Sequence, residues 1–167
     1  MGFLLVFAAL VVQWAALPWC AAVSEVTKVR VSVSGQSAGA SMAINHLFAF
    51  SATVDGCTIA AGNPYGCGNL TKNVSRCYYG SISDQDLDAL AAYIKRRAEA
   101  GLIDSPSNLR ATPVLLFSGK KDWIVWQNVM KSTEVQLRLY INASKVNSRF
   151  NTDAAHVWSI DHRGAFP

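Results

Sequence analysis

The residues best equipped for chemistry in this chain are Ser37, Asp122 and His156. A serine hydroxyl is inert at neutral pH unless a base takes its proton, and that base needs a carboxylate to orient it. Ser37 stands in Gly35-Gln36-Ser37-Ala38-Gly39. In this pattern a serine is thrust out on a sharp turn between a strand and a helix, with flanking glycines leaving room for the backbone. Composition alone produces such a pentapeptide roughly once in twenty chains of this length, so its setting carries the weight. A β-branched run comes directly before it and a small-residue run directly after. The base must be one of 3 histidines. His46 lies further along the helix after the serine, about 13 Å away at the helical rise, and reads as an ordinary helix residue. His156 follows a loop-like Asn151-Thr152-Asp153-Ala154-Ala155 segment and is favoured over His162, which lies near the last residues. The acid is sought between serine and histidine. Asp122 falls just past the end of a strand, the edge at which open α/β sheets build their sites. Asp104 precedes its strand and belongs to the other edge. Asp84, Asp86 and Asp88 open a helix, where they serve its dipole. Asp153 reads as a solvated loop acid.

The elements that must position these groups alternate. Glu25 to Ser34 carries Val26, Val29, Val31 and Val33 with polar residues between, a strand pattern. Ala40 to Phe50 reads as a buried helix, and Thr53 to Ala61 as a second strand. Gly62 to Tyr79, with its glycines, Pro64 and two cysteines, reads as a loop. Ser83 to Ala100 is the clearest helix: Ser83 with Asp86 forms a capping-box start, Leu87, Leu90, Ala91 and Ile94 make an apolar stripe, and Gly101 suits the stop. Pro113 to Phe117 is a hydrophobic strand that exits through Ser118-Gly119-Lys120-Lys121-Asp122. Asn128 to Tyr140 is a helix with Val129, Val135, Leu137 and Leu139 partly buried. This order implies a mostly parallel sheet with helical crossovers. Trp123, Trp126 and Trp158 flank the acid and base in sequence. Core packing is the expected role of each, and an apolar acyl site the alternative.

Composition narrows the function classes. Hydrophobic residues make up 51% and charged residues 16% of the chain, which is enough apolar material for one packed domain. The net charge is +4, but the one tight basic run, Lys95-Arg96-Arg97, lies on a helix and reads as its solvated face, against nucleic-acid binding. No phosphate loop or zinc-type cysteine spacing is present, and neither a metal nor an organic cofactor is implied. Phe3 to Val12 is an unbroken apolar run of signal-peptide length, and Cys20-Ala21-Ala22 supplies small residues for a cut. The expectation is a signal peptide over residues 1–22 and a catalytic domain over 23–167. An uncleaved membrane anchor is the alternative, and the cleaved protein has no stable membrane span. Three cysteines then remain, Cys57, Cys67 and Cys77, so one disulfide and one thiol are expected in an oxidising compartment. Asn69, Asn73 and Asn142 each open an N-x-S/T triplet and are candidate glycosylation sites on a secreted, extracellular protein.

Four segments in this order carry a family resemblance: Val33 to Ala43 around the serine, Ala60-Ala61-Gly62-Asn63-Pro64-Tyr65-Gly66-Cys67, Phe117 to Val125 around the acid, and Asn151 to Trp158 around the histidine. Together they resemble the extracellular polyhydroxybutyrate depolymerases, serine esterases that cleave short-chain hydroxyalkanoate polyesters and their oligomers. The resemblance covers about Val29 to His162. It implies an α/β-hydrolase-like, mostly parallel sheet with crossover helices, Ser37 as nucleophile, Asp122 as acid, His156 as base and the Ala38 N–H as one oxyanion donor. Family members with an early serine resemble a circular permutation, drawing further strands and the second oxyanion donor from chain after the histidine. Only a short stretch follows His156 here, so the domain is expected to be incomplete at its C-terminus. Two functions follow. One is a secreted ester hydrolase acting on a hydroxyalkanoate polyester, oligomer or other acyl ester. The other is a shortened, inactive secreted homologue that keeps the three side chains without the full oxyanion site.

Overall fold

The structure, a computed structural model, describes residues 29–70 and 74–158. The expected signal peptide, Asn73 and His162 lie outside the described residues.

Four parallel strands form one sheet in the order β1-β2-β3-β4: β1 Val31–Gln36, β2 Val54–Ala60, β3 Val114–Phe117 and β4 Val146–Arg149. The helices are α1 Ala38–Ala49, the single turns α2 Cys67–Leu70 and α3 Arg76–Tyr79, α4 Asp84–Glu99 and α5 Gln127–Arg138. Each strand is added on the same side of the one before it. Right-handed crossovers repeated in one direction put all their helices on one face. Accordingly α1 lies on β1 and β2, α5 on β3 and β4, and α4 packs on α5 and α2. Alternation along the strands sorts the side chains. Cys57, Ile59, Val114 and Leu116 point into the core with Ile44, Leu47, Phe48, Ile94, Met130 and Leu137, while Thr58, Leu115 and Phe117 line the opposite, helix-free face. Among the described residues that second face carries no helix, unlike most parallel sheets.

Local chemistry explains the elements. The capping box of α4 is complete: Ser83 Oγ accepts from the Asp86 N–H, and the Asp86 carboxylate accepts from the Ser83 N–H and hydroxyl. These bonds from Ser83, and then Arg76, hold the Asp86 carboxyl below the ordinary aspartate range. Gly101 follows the helix at φ 67°. Three expectations need correction. Of the expected strand, Glu25 to Lys28 lie outside the described residues, and Val29 and Arg30 fall before β1, which pairs with β2 from Val31 opposite Val54. The Gly62–Tyr79 loop contains the two single turns α2 and α3, stapled by a Cys67–Cys77 disulfide. Along α5 the buried stripe is Val129, Met130, Thr133, Gln136 and Leu137, whereas Val135 and Leu139 face solvent. The polar strand β4 was not legible in sequence; its pairing with β3 supplies the order that its composition lacks.

Among the described residues Cys57 is the free thiol, buried under α1 with its sulfur against the Ala43 carbonyl, and burial pushes its pKa up to about 12. The thiolate is the reactive form. Iodoacetamide at neutral pH is therefore expected to leave Cys57 unmodified in the folded chain and to alkylate it in denaturant. Equal rates in both, read by mass spectrometry, would contradict the burial.

Candidate active site

All four strands run the same way, so their exits meet at one edge of the sheet. Gln36 leads there to Ser37, Ala60 to Ala61, Phe117 to the acid loop and Arg149 to the histidine loop. Ser37 takes φ 57° and ψ −123° between β1 and α1, a conformation that side chains rarely adopt and that costs about 1–3 kcal/mol. Three backbone bonds hold it. Its N–H donates to Ala60 O at 2.9 Å, and its carbonyl accepts from Ala40 and Ser41 N–H at 3.0 and 3.1 Å. Gly35 makes the turn possible: a Cβ there would overlap the Gly39 carbonyl and crowd the Ala40 nitrogen. Gly39 has open space where its Cβ would be, so the second glycine of the pattern is not needed for close packing. Ala38 is the first residue of α1, where helix geometry leaves N–H groups without intrahelical acceptors.

Asp122 is 7% exposed and its two oxygens have separate tasks. Oδ1 accepts from the backbone N–H of Ile124 (3.0 Å) and Val125 (2.8 Å), while Oδ2 is 2.8 Å from His156 Nδ1. An ionised carboxylate only accepts, so the shared proton sits on Nδ1 and Nε2 is left with a free lone pair. The acid and histidine loops run side by side. Lys120 N–H donates to Thr152 O (2.8 Å) and Lys121 N–H to Ala154 O (3.1 Å). Gly119 permits this approach, since a Cβ there would overlap the Ala154 carbonyl. Sequence reasoning passed over Gly119. Its place between a strand end and a candidate acid was the one available signal.

Ser37, Asp122 and His156 thus come from three separated segments to one edge, and Asp122 and His156 are in direct contact. The described residues show no hydrogen bond between Ser37 Oγ and His156. Such contacts are often long in unliganded enzymes and tighten on substrate binding. A cleft of about 230 Å³ on the helix-free face is lined by Gln36, Thr58, Ala60, Leu115, Phe117, Val157 and Trp158. It joins the residue before the serine to those after the histidine. The other candidates lie apart. His46 is exposed and packs on Phe50, Asp104 accepts from Ala52 N–H before β2, and Asp153 forms an exposed ion pair with Lys120. The expectation of core packing for the tryptophans fails: Trp123, Trp126 and Trp158 are 73%, 46% and 64% exposed. They belong to loops at the sheet edge, which no second layer among the described residues covers. Among the described residues, no group of His, Cys, Asp or Glu could hold a metal, and no helix is long and apolar enough to cross a membrane.

No family model matches the chain. It is 30% identical over 143 residues to the poly(3-hydroxybutyrate) depolymerase of Delftia acidovorans, matching 84% of this chain and 29% of that protein. It is 32% identical over 136 residues to the polyhydroxybutyrate depolymerase of Talaromyces funiculosus, matching 81% of this chain and 39% of that one. The crystal structure of a PHB depolymerase from Penicillium funiculosum superposes with a TM-score of 0.75 at 31% identity, over 83% of this chain and 42% of that one. A PHB depolymerase complexed with an R3HB trimer gives the same score at 30% identity, over 83% of this chain and 43% of that one. Maize acyl-protein thioesterase 2, at 16% identity and a TM-score of 0.54, shares the fold alone. The chain spans 29% and 39% of the length of these two curated relatives. In sequence and in fold, this chain is similar to the polyhydroxybutyrate depolymerases, as an α/β-hydrolase-like domain matching less than half of each.

Proposed function

We propose that the chain is a secreted serine ester hydrolase for short-chain hydroxyalkanoate polyesters or their oligomers. The observation that carries this reading is the 2.8 Å Asp122–His156 bond at the sheet edge that also presents the strained Ser37. His156 Nε2 takes the Ser37 proton as Oγ attacks the ester carbonyl, and the Ala38 N–H stabilises the oxyanion. The tetrahedral intermediate collapses, His156 returns the proton to the leaving alcohol, and water activated by the same imidazole releases the acid. No metal or organic cofactor enters these steps. The substrate class rests on the solved relative that holds an R3HB trimer. Export is supported by the Cys67–Cys77 disulfide and the exposed acceptors Asn69 and Asn142, with Asn73 as a third candidate.

The second reading is an inactive homologue. It is favoured by the helix-free sheet face and by the missing Ser37–His156 bond. Losing one oxyanion donor typically lowers turnover by about a hundred- to a thousand-fold. A fluorophosphonate probe separates the two. Labelling of the full chain at Ser37, abolished in Ser37→Ala and strongly reduced in His156→Ala, is the expected result. No labelling of the folded chain supports the inactive homologue. Labelling that survives Ser37→Ala overturns the esterase reading.

A further inference from the structure

Gln127 opens α5 and is half-buried behind the two loops that carry the acid and the base. Its Nε2 donates both of its protons, one to Ser118 O at 3.2 Å and one to Phe150 O at 2.9 Å. Ser118 is the first residue after β3 and Phe150 the first after β4. One side-chain amide therefore ties the start of the Asp122 loop to the start of the His156 loop. Below this clamp the loops are also joined at Ser118 N–H to Arg149 O, and above it at Lys120 and Lys121. Gln127 touches neither Asp122 nor His156 in its side-chain bonds. Its amide is suited to the place because both partners are carbonyls, which need donors. A carboxylate would repel both, and an alkyl chain would leave two partly buried acceptors unpaired.

We propose that Gln127 is a positioning residue: by bridging Ser118 O and Phe150 O it sets the spacing at which Asp122 Oδ2 meets His156 Nδ1. The proposal rests on the hydrolase reading for its effect on rate, but its geometric part is independent of that reading. A misplacement of about 1 Å in such a pair is enough to cost a hundred-fold in rate.

The test uses the full chain with Gln127→Met, which keeps the length and loses both donors, and Gln127→Asn, which keeps the donors on a shorter arm. Ser118→Ala is the control: it removes a buried hydroxyl that has no partner and keeps the clamped carbonyl. The first readout is the low-field proton resonance of His156 Nδ1–H in water, and the second is hydrolysis of an activated ester. Expected is a lost or shifted resonance in Gln127→Met and a kcat lowered roughly ten- to a hundred-fold at nearly unchanged KM. A partial effect is expected in Gln127→Asn and none in Ser118→Ala. If the wild type shows the resonance without turnover, the hydrolase reading fails, and loss of the resonance in Gln127→Met still supports the clamp. An unaltered resonance in Gln127→Met, or a lower Tm with resonance and kcat preserved in the folded fraction, overturns the proposal. Should Gln127→Met not fold, the resonance of Gln127→Asn decides in the same way.

Discussion

Asp122→Asn is expected to lower kcat for an activated ester by about four orders of magnitude while leaving the fold in place. The reason lies in how the two carboxylate oxygens are used. Oδ1 is committed to the Ile124 and Val125 N–H groups, which only an oxygen can accept from. An asparagine must keep its carbonyl there, so its NH2 faces His156. That donor forces Nδ1 to become the acceptor and moves the imidazole proton to Nε2, the nitrogen that takes the proton of Ser37 in the proposed mechanism. The shape of the site survives and its proton is on the wrong atom. Steady-state kinetics beside a thermal melt check this. A variant within ten-fold of the parent, with an unchanged melt, would rule out His156 as the base oriented by Asp122.

Gly35→Ala and Gly39→Ala are expected to behave oppositely, although the Gly35-x-Ser37-x-Gly39 pattern treats the two alike. A Cβ at Gly35 overlaps the carbonyl of Gly39 and presses on the Ala40 nitrogen. These are backbone atoms of α1, which cannot step aside as a flexible side chain would. Overpacking of this kind costs about 3 kcal/mol or more, a fall of roughly 6–12 °C in Tm for a domain of this size. It also pushes α1 away from β1 and so displaces Ser37. A Cβ at Gly39 meets nothing, and alanine is the better helix former by up to about 1 kcal/mol, so Tm is expected to hold or rise. Calorimetry on the two single variants decides. A similar loss at both positions would mean that Gly39 serves a contact outside the described residues.

These two cases mark where local pattern ends. The β-branched run before Ser37 and the small apolar run after it made strand, turn and helix legible, because periodicity and turn chemistry act over a few residues. The same holds for the capping box at Ser83 and Asp86, and for the placement of Asp122 just past a strand. β4 could not be read that way. Val146-Asn147-Ser148-Arg149 has little hydrophobic alternation, and its pairing with β3 defines it as a strand. The buried stripe on α5 departs from the sequence pattern for a related reason. Gln136 looks like a surface residue, yet it is fully buried because its amide pairs with both the N–H and the carbonyl of Tyr65, a partner far away in sequence.

The candidate site divides along the same line. Serine, acid and histidine could be chosen by residue type and chain order, because proton transfer from a serine admits few partners. The sequence also carried the resemblance to the polyhydroxybutyrate depolymerases, since that depends on the order of short motifs. Tertiary structure alone decided that Asp122 Oδ2 faces His156 Nδ1, that Gly119 and Gln127 hold the two loops together, and that the flanking tryptophans stay exposed. The physical reason is that each of these depends on the separation of two exits from neighbouring parallel strands. That separation is set by sheet register and by crossover handedness, and neither is written in any local stretch of residues.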